Sequence, residues 1–360
     1  MKKHIELVKP LSMMLLLVLP AFGKATGDGD EVKKKKTINK SYTVTAEDKL
    51  DIDNSFGDVV VSTWDKNEIT VDIEIGANAS TDEKAQSILD KIQVKDSHDG
   101  HVISFKTKVE DKGDKWDKED REEGRNRHRH GDNDGENKSF YINYTVHMPA
   151  VNPLNLMNSF GKIIVPDMRG EVTLISKFGG LEAGKLSKVN TIDVQFGKAK
   201  IGEVNDGKLV FKFDQGTEIG KVNGNVKISS EFSHNVKFNV SDEIKELGVF
   251  ESYSNIRLVV TKQLSADFEV HTSFGSFHNN SDFGISEEKE GNDEYGPHFD
   301  KDFAGKAGDG RAKIRIKSSF GSVNLAHSWS SENDKPEGKD KDKSKHKHKD
   351  KDNDDDETSI

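Results

Sequence analysis

The chain has 360 residues, 32% hydrophobic and 33% charged, with a formal net charge of −10 and no cysteine. Such a composition is too polar for one ordinary core, but the charges gather in 111–138 and 331–357, and the segments between are close to globular. The acidic balance excludes a protein that holds nucleic acid by neutralising phosphates, and the lack of cysteine excludes disulfides and a lipid-modified N-terminal cysteine.

Lys2, Lys3 and Lys9 precede an apolar run from Leu11 to Leu19 and then Pro20-Ala21-Phe22-Gly23, the pattern of a secretory signal over 1–23 with cleavage after Gly23 or Ala25. The run is too short to span a bilayer, which takes about 18 or more apolar residues, so the mature chain is expected to be exported with no transmembrane segment. Residues 24–40, with the basic run Lys33 to Lys36, read as a solvated linker. A β-rich cap region follows over 41–153. In it Ile69, Val71, Ile73 and Ile75 alternate with polar residues as one half-buried strand. Ser80-Thr81-Asp82-Glu83 supplies a capping box for a helix over 81–92 whose core face is Ala85, Ile88, Leu89 and Ile92. Strand character resumes at Val102, Ile103 and Phe105, stops for a disordered insertion over 111–138, and returns with the alternation Phe140, Ile142, Tyr144, Val146 and Met148.

From 154 to 327 one small unit returns. Ser159-Phe160-Gly161 comes back as Lys177-Phe178-Gly179, Gln195-Phe196-Gly197, Asp214-Gln215-Gly216, Glu231-Phe232-Ser233, Tyr253-Ser254-Asn255 and Ser273-Phe274-Gly275. The steps between middle residues are 18, 18, 19, 17, 22 and 20. A unit of this length encloses no core alone, but stacked copies bury a continuous apolar column. The spacing drifts too much for a regular hexapeptide helix, so the fold expected is mainly β: an irregular parallel β-solenoid with coils of about 18–20 residues, after a small β-rich region with one short helix. Antiparallel hairpins closed by Asn205-Asp206-Gly207 and Asn223-Gly224 are the competing arrangement. A loop insertion over 278–311 interrupts the stack, Ser319-Phe320-Gly321 with Val323 and Leu325 forms the final coil, and 328–360 is a disordered charged tail.

The runs Asn158-Ser159-Phe160-Gly161-Lys162-Ile163-Ile164-Val165, Lys177-Phe178-Gly179-Gly180-Leu181 and Lys317-Ser318-Ser319-Phe320-Gly321-Ser322-Val323 resemble the bacterial "putative adhesin" family, exported β-strand-repeat proteins common in Bacteroidota. The resemblance covers about Ser41 to Ala326 and implies a cell-envelope or surface role. It defines no functional residues.

Three features bear on chemistry. Phe160, Phe178, Phe196, Phe232, Phe274 and Phe320 read as an inward, buried ladder at tight corners, the alternative being a surface strip for stacking sugars. Asp214 and Glu231 occupy equivalent positions of adjacent coils, where a carbohydrate-active enzyme would place a carboxylate pair and a scaffold a solvated polar ladder. His128, His130, Asp132 and Asp134, with His346, His348, Asp350, Asp352 and Asp354 to Asp356, mix imidazole and carboxylate ligands, but interleaved Arg and Lys repel cations and nothing orders the ligands. No catalytic, cofactor or metal residue is therefore assigned. The expected function is a non-enzymatic exported scaffold or adhesin of the envelope or cell surface, with a carbohydrate-active enzyme, or a metal-binding or envelope-sensing protein, as alternatives.

Overall fold

A computed structural model describes residues 32–110, 139–288 and 299–328. The chain divides into Met1–His327 and Ser328–Ile360. Apart from Ser328, the second unit, like the expected signal and the charged insertion, lies outside the described residues.

The first part runs β1 (Val32–Thr43), β2 (Lys49–Ser55), β3 (Val59–Trp64), β4 (Glu68–Ala79), α1 (Asp82–Asp90), β5 (Ile92–Asp99), β6 (Val102–Val109) and β7 (Ser139–Pro149). The expected linker over 24–40 therefore overlaps a strand. β1 pairs antiparallel with β4, and its lysines stand on an outer edge, with Lys34 on Asp82 (2.7 Å) and Lys35 on Glu74 (3.0 Å). Charge on an edge strand keeps it from pairing with another chain. In β4, Ile69, Val71, Ile73 and Ile75 are all buried, as their alternation requires. The helix is capped one residue later than the capping box suggests: the Thr81 hydroxyl accepts from the Lys84 N–H. It also ends at Asp90, so Ile92 serves a strand.

The stack comprises β8 (Leu154–Ser159), β9 (Ile163–Val165), β10 (Met168–Lys177), β11 (Gly180–Gln195), β12 (Lys198–Lys212), β13 (Thr217–Glu231), β14 (Val236–Ser252) and β15 (Asn255–Val260). It closes with β16 (Ala266–Ser273), β17 (Ser276–Asn280), β18 (Gly284–Glu287), β19 (Asp300–Ala307), β20 (Ala312–Ser319) and β21 (Ser322–Ala326). All twenty-one strands belong to one mostly open, mainly β sheet. Neighbours from β8 to β15 pair in parallel, which excludes hairpins at Asn205-Asp206-Gly207 and Asn223-Gly224; Asp206, Gly207 and Gly224 instead take positive φ within long strands.

Parallel register lines up the core. Ile52, Leu156, Leu174, Ile192, Leu209, Ile228, Val249, Ile316 and Val270 stand next to one another, rung upon rung, and all are buried. Outward positions alternate in charge instead: Glu182 is beside Lys200, Lys200 beside Glu218, and Glu218 beside Lys237. Opposite charges directly across a strand pair stabilise it modestly, and like charges would not.

Three boundaries change. The cap expected over 41–153 already belongs to the stack, because β2 and β3 pair in parallel with β8 and β9. The insertion expected over 278–311 is partly strand: β19 pairs antiparallel with both β16 and β18. The last coil in sequence is not last in space, since β20 lies between β14 and β16, and β21 between β15 and β17.

Candidate functional site

At nine corners where successive strands of the stack meet stands an aromatic residue in the left-handed backbone region. Phe56, Phe160, Phe178, Phe196, Phe213, Phe232, Tyr253, Phe320 and Phe274, in spatial order, have φ between 51° and 66°. An L-residue there costs roughly 1–2 kcal/mol, and a bulky one is an outlier. The corner is kept in register by one hydrogen bond per rung: the Phe160 N–H donates to the Lys177 carbonyl (2.9 Å), Phe178 to Gln195 (2.9 Å) and Phe196 to Lys212 (3.0 Å).

The rings point outward. The nine are 39–54% exposed, so the expected buried ladder of Phe160, Phe178, Phe196, Phe232, Phe274 and Phe320 is overturned. The cause is the sign of φ. Alternation puts Leu174 and Ser176 inside, and would put Phe178 inside too; the left-handed residue breaks that parity and swings its side chain out. Adjacent rings stack with centroids 4.8–5.2 Å apart and planes within 2–7°. Eight such steps, each close to the strand spacing, make a ridge about 40 Å long. Stacked aromatic pairs contribute about 0.5–1.5 kcal/mol each, enough to offset much of the backbone strain. Phe140 covers Phe56 at one end (5.1 Å) and Phe299 covers Phe274 at the other (4.5 Å).

The glycine after each ring has a different task. A Cβ on Gly179 would lie 2.0 Å from the Gly161 carbonyl oxygen, and one on Gly197 only 1.9 Å from that of Gly179. The rungs touch backbone to backbone here. Gly179→Ala is expected to lose about 1–3 kcal/mol, as overpacking does, read as a lower midpoint in denaturant unfolding. In three rungs a buried polar residue replaces the glycine: Asp214, Ser233 and Ser254. They bond from rung to rung, Asp214 N–H donating to the Ser233 hydroxyl (3.2 Å) and Ser233 N–H to the Ser254 hydroxyl (3.0 Å).

Asp214 and Glu231 are therefore not equivalent. The triplets Asp214-Gln215-Gly216 and Tyr253-Ser254-Asn255 place the repeat off register, for the ring positions are Phe213 and Tyr253. Asp214 is buried behind Phe213, takes a hydrogen bond from the Thr217 hydroxyl (2.7 Å), and leaves Oδ1 without one; burial pushes its carboxyl up. Glu231 lies across from Lys212, in ion-pair contact with it at 3.1 Å. One carboxylate is inside and the other outside, so they form neither a catalytic pair nor one solvated ladder. Glu251, two residues before Tyr253, is a second buried carboxyl raised by burial; it accepts from the Ser254 N–H (2.6 Å) and the Ser318 hydroxyl.

A depression of about 690 Å³ elsewhere on the stack is lined by Glu171, Asn190, Lys227, Phe250, Glu246 and Arg315 among others, and its Arg315 is paired with Glu246 (2.9 Å) and Glu269 (3.0 Å). Among the described residues no group of three metal-ligating side chains converges, and no helix is long and apolar enough to cross a membrane. The histidine and aspartate clusters at 128–134 and 346–356 lie outside the described residues.

The sequence reading missed Phe56, although Asn54-Ser55-Phe56-Gly57 repeats Asn158-Ser159-Phe160-Gly161 letter for letter. The two tetrads also share a fastening. The Asn54 amide donates to Asn158 Oδ1 (3.1 Å) and the Asn158 amide to the Gly57 carbonyl (2.8 Å).

The fold and corner define a mainly β protein with an aromatic ladder on its surface. No protein-family model matches the chain, and no curated protein matches it. Several solved structures are similar over 81% of its length. They include a "putative cell adhesion protein" from Clostridium sporogenes (12% identity, 99% of that chain, TM-score 0.24) and a "putative adhesin" from Bacteroides fragilis (11%, 97%, 0.31). A third is a "putative lipid binding protein" from Parabacteroides distasonis (11%, 96%, 0.21).

Proposed function

We propose that the protein is a non-enzymatic, exported β-solenoid of the cell envelope or surface, a scaffold that binds through its aromatic ridge. The in-register parallel stack, whose corners recur at steps such as 17, 19 and 21 residues (196 to 213, 213 to 232, 232 to 253), supports the solenoid. The observation that carries binding is the ridge itself. Glycine or asparagine takes a left-handed corner at little cost, yet this chain sets an aromatic ring at nine of them and leaves each about half exposed. Backbone strain concentrated on an exposed apolar feature favours a functional surface over a purely structural corner.

Ring geometry narrows the mode of binding. Stacking a sugar needs a free ring face, and both faces of every interior ring are covered by its neighbours. What the ridge offers is a row of ring edges.

The test uses Phe178→Asn/Phe196→Asn/Phe213→Asn, because asparagine tolerates the left-handed corner. The triple variant is expected to keep its circular dichroism spectrum while retention on isolated envelopes falls about tenfold or more, as when buried aromatic anchors are removed. Undiminished retention by the folded variant would refute binding through the ridge.

A further inference from the structure

We propose that the ridge docks on an anionic lipid surface, an inference that rests on the binding role of the ridge and names what it binds. The shape of the ridge is the first argument. It is a convex line one ring wide and about 40 Å long at strand spacing, and two such ridges pressed together would cover little of each other. A bilayer interface deforms around a line of ring edges, and aromatic side chains favour that zone because it is apolar below and wet above.

Charge supplies the second argument. The chain as a whole carries −10, so its net field opposes an anionic surface. Beside the ridge the balance reverses. Lys177 and Lys212 immediately precede Phe178 and Phe213, while Lys162 and Lys198 follow Phe160 and Phe196 by two residues. These four lysines line both flanks of four consecutive rings. The acidic residues at the ends of this stretch are already engaged: Asp58 accepts the Lys162 backbone N–H (2.8 Å), and Glu231 pairs with Lys212. Lys162, Lys177 and Lys198 make no ion-pair contact with a carboxylate among the described residues, although the charge of Lys198 acts on buried Asp214, whereas Lys185 is paired with Glu203 at 2.9 Å.

Lysine stems can lie along apolar surface with the ammonium reaching headgroup level, so rings and flanks would engage one surface together. Rings alone would give weak binding indifferent to lipid charge. Lysines alone would give a salt-sensitive contact without depth. Their juxtaposition over Phe160 to Phe213 gives both, and it fixes orientation, because only the lysine-flanked edge of the ridge offers rings and cations together.

Vesicle co-sedimentation of the full chain tests this. Vesicles containing phosphatidylglycerol are expected to retain the protein at least tenfold better than pure phosphatidylcholine, with the difference shrinking as salt rises. The Phe178→Asn/Phe196→Asn/Phe213→Asn variant should lose retention on both. Lys162→Ser/Lys177→Ser/Lys198→Ser should lose the preference for phosphatidylglycerol while keeping its fold, checked by thermal melting. Failure of the wild type to sediment with either vesicle would overturn the proposal, as would unchanged behaviour of both variants. A wild-type dimer in light scattering that the ring variant converts to monomer would assign the ridge to a second copy of the chain. If vesicles fail but the ring variant still loses retention on envelopes, the lipid assignment falls and the binding ridge stands. If the ring variant behaves as wild type in both assays, both fall.

Discussion

A chain ending at Arg311 is expected to lose two rungs of the stack, not one. The segment removed contains β20 and β21, and these lie between rungs formed earlier in the sequence: β14 and β15 on one side, β16 and β17 on the other. Residues 266–273 thereby lose their parallel partner and keep the antiparallel one, β19, while 276–280 lose their strand partner, β21. The ladder breaks at the same place, because Phe320 is the ring between Tyr253 and Phe274. Other fastenings go too: His327, whose Nδ1–H donates to the Val260 carbonyl (2.9 Å) and whose Nε2 lies 2.6 Å from Asp282 Oδ1, and the Ser318 hydroxyl on buried Glu251. In stacks of this kind each unit is stabilised mainly by its neighbours, so damage should stay local. Hydrogen exchange should show fast exchange over 266–280 with β11 to β13 still protected. Protection of 266–280 in the truncated chain would show that the outer rung docks without the inserted one.

That inserted rung explains part of what was legible in the sequence. Composition and alternation identify strands one at a time, and Leu174, Ile192, Leu209 and Ile228 are inward in the structure as their period-2 pattern requires. Parallel stacking follows from the recurring step of 17 to 19 residues between them. Spatial order does not follow, because nothing local in Ile314 or Ile316 distinguishes a terminal rung from one wedged between two others. The ladder failed for a different reason. Burial statistics place a Phe inside, while the direction of this Phe is decided by one backbone dihedral whose sign leaves no mark on the alternation before it. The misplacement of Asp214 follows from the same corner: the triplet Asp214-Gln215-Gly216 stands two residues out of register with the ring at Phe213, and the left-handed residue, by breaking the alternation, leaves Asp214 inside. Two signals were present in the letters. Phe213, directly before Asp214, keeps the aromatic repeat where Asp214-Gln215-Gly216 breaks it, and Asn54-Ser55-Phe56-Gly57 announces the first rung inside the expected cap.

Glu251→Gln is expected to stabilise the protein at neutral pH, by about 1–3 kcal/mol, the scale on which burying a poorly compensated polar group costs stability. Glu251 is 4% exposed, and burial raises its carboxyl above the ordinary value. The sign follows from proton linkage. Between the unfolded and the raised folded pKa the native state holds a proton that the unfolded state has released, so stability is full below the unfolded value and declines as pH rises through the folded one. Asp214, raised by burial, acts in the same direction. Asp48, Glu74, Asp282 and Asp309 are held below their usual range and act in the opposite sense at lower pH, losing stability as pH falls through their folded values. Glutamine suits the Glu251 site, because its carbonyl can accept from the Ser254 N–H while its amide donates to the Ser318 hydroxyl, which can reverse its role. Asparagine suits the Asp214 site less well. Oδ1 accepts no hydrogen bond there, and an amide nitrogen in its place would need an acceptor. Thermal melts of the two single variants at mildly acidic and mildly alkaline pH should therefore differ. Glu251→Gln should raise the melting temperature on the alkaline side and flatten its decline with pH, while Asp214→Asn flattens the decline with little gain. A Glu251→Gln protein that melts below wild type at alkaline pH would show that the charged carboxylate stabilises the corner behind Tyr253.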